Sequence, residues 1–248
     1  MLNIILTGSG GAMGKCLIEL ISEAPDLTIS AGIDRSIHAQ YDFPQYTEFS
    51  DAVKGDVIID FSHYTVVPDI LDFSERTGIP AVICTTGLTE DTIKRIDSVS
   101  KKTALFRSGN MSLGINLLID LVKKAAAVLQ DSFDMEIIEK HHNKKVDAPS
   151  GTAKMIANAM KESIDEDTQF IYGRSGNAAK RENNEIGIHA VRGGTIVGQH
   201  DVIFAGIDEV VEIKHTAASK KVFAQGALQA ARFMAGREPG LYDMNDIL

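Results

Sequence analysis

Leu2-Asn-Ile-Ile-Leu-Thr7, followed without a break by Gly8-Ser9-Gly10-Gly11-Ala12-Met13-Gly14 and then by the helical run Lys15 to Glu23, decides how the rest of the chain is read. A short β-rich run enters the glycine cluster and an amphipathic pattern leaves it, so the glycines sit at a strand-to-helix turn. Without Cβ atoms the backbone there can approach a pyrophosphate, and the free N–H groups at the positive helix end supply the attraction. The spacing is not G-x-G-x-x-G, because Met13 holds the sixth position; it is G-x-x-G-x-x-G through Gly8, Gly11 and Gly14. On the glycines alone, a turn without a ligand explains the pattern equally well. The next β run, Thr28 to Ile33, changes that balance. It ends in Asp34, 20 residues beyond Gly14, where a carboxylate can accept hydrogen bonds from the adenosine ribose, and Arg35 beside it can pair with a 2′-phosphate. Both NADH and NADPH are therefore expected as cofactors.

Working outward, Val57 to Asp60, Ala81 to Cys84 and Thr103 to Phe106 read as further strands, with helix-sized segments between most of them. Strands separated by helices are driven into parallel pairing, which gives a doubly wound sheet. Three turns fall at predicted strand ends, where open α/β folds bind ligands: Asp60-Phe-Ser62, Cys84-Thr85-Thr86-Gly87 and Ser108-Gly109-Asn110-Met111. These are candidates for the ribose and nicotinamide. Arg35 to Phe49 reads as irregular. After Asn110 the βαβ rhythm stops: a long helix, Leu113 to Leu129, leads to a strand, Met135 to Lys140, then a loop and a helix, Thr152 to Ile164. Asp165 to Asn184 reads as a mobile polar loop. Three strand-like runs follow, Ile186 to Arg192, Thr195 to Phe204 and Val210 to Thr216, whose short glycine-containing turns predict antiparallel pairing. The last helix, Lys221 to Met234, is expected to return to the first domain. The expected fold is α/β: an N-terminal Rossmann-like doubly wound parallel sheet (1–110, completed by 221–248) plus a C-terminal α+β domain with a mixed or antiparallel sheet (111–220).

With 248 residues, 44 % of them hydrophobic, the chain can bury one large core or two modest ones. A net charge of −9 opposes sequence-independent binding to nucleic acid; only Lys144 and Lys145, with nearby histidines, resemble a basic patch. Cys16 and Cys84 form no C-x-x-C pair, so neither a disulfide framework nor a thiolate metal site is indicated. No basic leader and no apolar run of the ~20 residues that span a bilayer is seen, and a soluble cytoplasmic protein is expected. A dinucleotide-sensing regulator would need a recognition module, and no helix-turn-helix or basic helix is evident.

The densest polar cluster is Glu139-Lys-His141-His142-Asn-Lys-Lys145-Val-Asp147-Ala-Pro149-Ser150-Gly151-Thr152. Ser150 or Thr152 would cap the following helix, and the N–H groups of Gly151 and Thr152 would face an anion, most naturally a carboxylate. His141 can exchange a proton near neutrality, and Lys145 supplies a positive charge and a second donor. A hydride delivered to a conjugated C=N or C=C system needs such a partner, because it leaves negative charge that an acid must neutralise. The competing readings are a solvated basic loop ahead of a capped helix and, with less support from the spacing, a zinc site; neither H-E-x-x-H nor C-x-x-C is present, and no metal is expected.

At these residues the chain resembles the dihydrodipicolinate reductase family of bacterial diaminopimelate and lysine biosynthesis. The resemblance rests on Gly8-x-x-Gly11-x-Met13-Gly14, Asp60-Phe-Ser62, Thr85-Thr86-Gly87, Asn110-x-Ser112-x-Gly114-x-Asn116, the Glu139 to Ala153 stretch, Arg192-x-Gly194, Gly198-x-His200 and Gly240-Leu-Tyr-Asp243-Met. It implies NAD(P)H-dependent reduction of a cyclic imine dicarboxylate, 4-hydroxy-tetrahydrodipicolinate, by a homotetramer assembled through its C-terminal domains; another reductase of a small carboxylated imine or semialdehyde is the alternative. It also implies that His141 is the proton donor or acceptor, that Lys145 is a second donor that holds substrate, and that His142, Gly151 and Thr152 contact its carboxylates. Two departures stand out: Cys84 where the family commonly has glycine, and Ala12 where it often has arginine, which leaves Arg35 as the candidate for a 2′-phosphate.

Overall fold

The computed structural model describes residues 1–164, 167–177 and 179–248. Along the chain run β1 (Leu2–Thr7), α1 (Ala12–Ser22), β2 (Leu27–Ile33), β3 (Gln45–Tyr46), β4 (Val57–Asp60), α2 (Val67–Thr77), β5 (Ala81–Ile83), α3 (Glu90–Val99), β6 (Ala104–Arg107) and α4 (Leu113–Leu129). There follow β7 (Asp134–His141), α5 (Gly151–Lys161), β8 (Gln169–Tyr172), β9 (Glu185–Arg192), β10 (Gly198–Ala205), β11 (Val210–Ala217), α6 (Lys221–Met234) and β12 (Gly240–Tyr242). Two units separate by their internal packing: Met1–Leu113 with Lys220–Leu248, and Gly114–Ser219.

In the first unit β4 and β5 are buried at every position, and so is most of β1. Such unbroken apolar runs form when a strand is covered on both faces, as in a parallel sheet flanked by helices. The sheet is parallel throughout, in the order β12-β6-β5-β4-β1-β2-β3. Leu17 and Ile21 of α1 pack with Ala224, Leu228 and Ala231 of α6 on one face. Ile70, Leu71 and Phe73 of α2 pack with Ile96 and Val99 of α3 on the other. Because β2 leaves β1 on one side and β4 lies on the other, the chain reverses its winding direction at β1, which places a crevice outside the strand ends there. Two edge strands were not anticipated: β3, inside the stretch read as irregular, and β12 after the last helix. Each contributes two or three residues of pairing, too few to leave a period in the sequence.

The second unit departs further from expectation. Its sheet runs β11-β10-β7-β9-β8. Only β10 and β11 form the expected hairpin; β9 and β10 do not touch but flank β7, parallel and antiparallel to it respectively. The link at 193–197 passes around the end of β7, with Gly193 donating to the His141 carbonyl at 2.9 Å and Asn143 to the Gly194 carbonyl at 3.2 Å. Two strand spacings are about 10 Å, well within the reach of five residues. A βαβ crossover also survives here, contrary to the reading of the sequence, since α5 connects β7 to strands parallel with it. β8 lies within the segment read as a mobile loop: Phe170 packs on the core and the strand pairs with β9. The rest of that loop includes Asp165, Glu166 and Ala178, which lie outside the described residues. Leu118, Val122 and Ala126 of α4 and Ile156, Ala157 and Met160 of α5 cover the sheet face formed by Met135, Ile137, Ile188, Val202 and Phe204. Among the described residues no helix is long and apolar enough to cross a membrane.

Candidate active site

In the first unit the glycine turn opens onto a crevice of about 780 Å³ lined by Gly8, Gly10, Gly11, Asp34, Arg35, His38, Ser62 and His63 among others. Gly8 requires its lack of a side chain: its φ is +79°, and a Cβ would lie 2.5 Å from the Phe61 carbonyl oxygen. Gly11 precedes α1 as its N-cap and makes no side-chain cap, so the cap residue itself supplies no acceptor for the first N–H groups of that helix. Asp34 accepts the Gly10 N–H at 2.8 Å, which ties the acid to the turn and leaves its other oxygen for a ribose. Arg35 is exposed on the crevice wall. These residues fit the adenosine diphosphate half of a dinucleotide: bare backbone, a helix N-terminus, an acid and a guanidinium in one cleft.

Other expected contacts are distributed unevenly. Ser9 is buried, and Ala12 and Met13 begin α1, Met13 packing on the core, so these three offer backbone more than side chain. Cys84 turns its side chain into the core, where burial pushes the thiol well above its ordinary pKa. Thr85 donates to the Ser62 carbonyl at 3.2 Å and Thr86 is exposed. Ser108 closes its turn by donating to the Asn110 carbonyl at 2.8 Å, with Gly109 exposed between them and Met111 buried. Two features of this cleft, His38 and His63, were not singled out. His38 lies against Gly10 with Nε2 3.8 Å from Asp34, and Gln45 grips its backbone through two hydrogen bonds of 2.7 and 2.8 Å. His63 lines the wall. Asp60, fully buried at the end of β4, is pushed up in pKa by that burial, although Ser62 donates to it twice.

The second unit gathers its chemistry around Glu139, which is 0 % exposed. Its carboxylate takes His141 Nδ1 at 2.6 Å, the Ser150 N–H at 3.0 Å and two guanidinium nitrogens of Arg192 at 2.7 and 2.6 Å. Burial works to raise the pKa of Glu139, but Arg192, His141 and the Ser150 amide outweigh it and hold the group below the usual carboxylate range. Ser150 caps α5, its Oγ accepting the Ala153 N–H at 3.1 Å and lying 3.2 Å from His200 Nε2. His200 stands edge-on to His141 with ring centroids 5.3 Å apart, and burial, then the neighbouring His141, lowers its pKa to about 4. Lys145 pairs with Asp147 at 2.8 Å, which lowers the Asp147 pKa. His142 has a buried Nδ1 with no hydrogen-bond partner. Gly151 is exposed at the start of α5 and Thr152 is half-buried beside it.

The loop residues singled out in the sequence thus share one neighbourhood. Arg192 and His200 carried no role there beyond their place in the resemblance. Both stand at inward-facing positions of strands, the one signal that could have drawn them in. Among the described residues no group of three or more His, Cys, Asp or Glu is arranged to hold a metal ion.

The profiles of the two dihydrodipicolinate reductase domains match residues 2–111 (N-terminus) and 114–248 (C-terminus). The chain is 50 % identical, over its full length and 98 % of the relative, to the 4-hydroxy-tetrahydrodipicolinate reductase of Caldanaerobacter subterraneus subsp. tengcongensis. It is also 50 % identical, with the same coverage, to that of Clostridium botulinum. Among solved structures, dipicolinate-bound dihydrodipicolinate reductase from Paenisporosarcina sp. TG-14 superposes with a TM-score of 0.84 at 22 % identity, covering 100 % of both chains. With both domains matched and half of all residues shared end to end, this chain belongs to the dihydrodipicolinate reductase family.

Proposed function

We propose that the chain reduces 4-hydroxy-tetrahydrodipicolinate to tetrahydrodipicolinate with NADPH or NADH, as a step of diaminopimelate and lysine biosynthesis. The observation that carries the proposal is that one carboxylate, Glu139, holds both the imidazole of His141 and the N-terminus of α5, so that an acid and an anion-binding helix end occupy one place. A bound nicotinamide dinucleotide supplies the hydride. Gly8 to Gly14 would hold its pyrophosphate and Asp34 and Arg35 its adenosine ribose. Cys84 to Thr86 and Ser108 to Met111 would border the nicotinamide.

Replacing the 4-hydroxyl by hydrogen requires its loss as water, which leaves a C=C conjugated with the C=N. Hydride adds at the carbon end of that system, the electron pair moves to nitrogen, and His141 neutralises it by giving a proton from Nε2, the resulting enamine tautomerising to the retained C=N. Lys145 exchanges Asp147 for a substrate carboxylate and serves as the second donor; His142, Gly151 and Thr152 complete the carboxylate contacts. The first unit is therefore the dinucleotide-binding domain and the second the substrate-binding domain. The second is also the site of homotetramer assembly: both of its helices pack on one sheet face, and the opposite face carries Ile138, Val191 and Ile203 beside the Lys140–Asp201–Lys214 ion pairs. The absence of any membrane-spanning helix among the described residues is consistent with work in the cytoplasm.

The test is oxidation of each dinucleotide with freshly generated cyclic imine, alongside sedimentation of the full chain. Turnover with another carboxylated imine or a semialdehyde, but not with this substrate, would move the assignment elsewhere. A monomer at micromolar concentration would remove the tetramer.

A further inference from the structure

We propose that Glu139 is a positioning residue for the reaction, locking His141 in the tautomer that carries its resting proton on Nδ1, and that Arg192 balances the charge of this lock; the proposal rests on the role given to His141 above. A neutral imidazole has one N–H and one bare nitrogen, and the partner of one nitrogen decides which is which. An ionised carboxylate only accepts hydrogen bonds, so the 2.6 Å contact from Glu139 to Nδ1 fixes the proton there. Nε2 is left for the second, reactive proton. It faces the bare Cα of Gly198, where a Cβ would approach within 3.2 Å, so Gly198 itself sets no side chain against the nitrogen.

The lock is rigid because nothing around Glu139 can yield independently. Its two oxygens receive four donors, from β7, from β9 and from the first residue before α5. Arg192, which makes two of those bonds, also donates to the Asp147 carbonyl at 2.7 Å, so the loop that carries Lys145 hangs on the same guanidinium. The charges explain why an arginine is needed. Glu139 alone, buried beside His141, would hold the imidazolium too tightly for it to surrender a proton. Arg192 cancels that charge at 2.6–2.7 Å, while the lone pairs that orient the ring remain. The charged and titratable groups around His141 in this unit are Glu139 on its own strand, Arg192 on β9 through Glu139, and His200 on β10; Lys145 and Asp147 pair with each other on the loop that Arg192 holds. Of these, Glu139 bonds the ring and is itself paired with Arg192.

Two measurements decide the matter. In full-length protein labelled with ¹⁵N, long-range ¹H–¹⁵N correlation spectra recorded across a pH series should show the neutral form of His141 protonated at Nδ1 and bare at Nε2. The resonance is assigned by its loss in His141→Gln. The opposite tautomer, or an equal mixture, overturns the proposal whatever the enzyme's activity. In the pH profile of kcat/KM, Glu139→Gln should move the alkaline limb down by about one unit and Arg192→Gln should move it up, because each removes a charge of opposite sign beside the same ring. A merely structural role would lower both profiles without moving either limb, and unmoved limbs in folded variants refute the lock. If the wild-type chain fails to turn over the imine at all, the functional reading falls while the tautomer measurement still stands.

Discussion

Acidification from about pH 6.5 to 4.5 should cost the protein ~2–3 kcal/mol through His200 alone. His200 is 4 % exposed, its Nε2 lies 3.2 Å from the Ser150 hydroxyl, and its ring is 5.3 Å from that of His141. Burial, then the neighbouring His141, lowers its pKa from 6.5 to about 4. In the unfolded chain the imidazole takes up a proton as pH falls below its ordinary value, whereas the native protein resists until about pH 4. The unfolded state therefore binds more protons throughout that window, and stability falls with pH until both states are protonated. Each unit of depressed pKa corresponds to ~1.4 kcal/mol, so the full loss is ~3 kcal/mol, most of it spent before pH 4.5. Glu139 acts lower down: the stability it holds is present above its ordinary pKa of 4.5 and is lost only as pH falls below it. His215, also depressed by burial, adds to the same window as His200, so the comparison must be differential. Urea unfolding of wild type and His200→Asn at about pH 7.5 and 4.5 isolates the term, with an NMR titration of the His200 ring as a direct check. Parallel loss of stability in the two proteins, or a His200 ring that titrates at its ordinary pKa, would refute the reasoning.

His141→Ala should lower kcat by roughly 10²-fold or more while the Kd for dinucleotide is unchanged; a near-normal kcat removes the proton-transfer role. Lys145→Ala should raise KM for the imine as well as lower turnover, and an unaltered KM contradicts its contact with a carboxylate. Arg35→Ala should raise KM for NADPH more than for NADH, equal effects showing that it does not read a 2′-phosphate. Ser150→Ala should cost ~1 kcal/mol of stability through the lost cap of α5, measured by chemical denaturation; no change would mean that the Ala153 N–H finds another partner.

The first unit was readable because its signals are local. Glycines at a strand-to-helix turn, an acid at the end of the next strand and buried runs separated by helices each lie within a few residues of their cause, and the sheet follows from parallel crossover. The second unit's strand order was not readable in the same way. A Gly-Gly link between two β runs carries the local signature of a hairpin, and nothing nearby shows that β7, some 45 residues earlier, occupies the space between them. Four-residue β8 and the two edge strands gain their stability from pairing rather than from their own composition, so their flanks outweighed them.

The same distinction between local and distant signals divides the catalytic neighbourhood. His141, His142, Lys145, Gly151 and Thr152 were found because one loop carries them all. Arg192 and His200 arrive through register, Arg192 opposite His141 on β9 and His200 opposite Glu139 on β10. Yet each breaks a pattern that the sequence displays: Glu139 and His141 continue the inward series Met135 and Ile137, Arg192 follows Ile186 and Ile188, and His200 precedes Val202 and Phe204. A charged side chain at an inward position is costly unless a partner waits there. Three strands that each place such a residue inward near the same end of the sheet bring those residues to one another, since Glu139, His141 and His200 are buried and Arg192 is only partly exposed. Those inward polar positions, read together, were the trace of a buried network before any strand order was known.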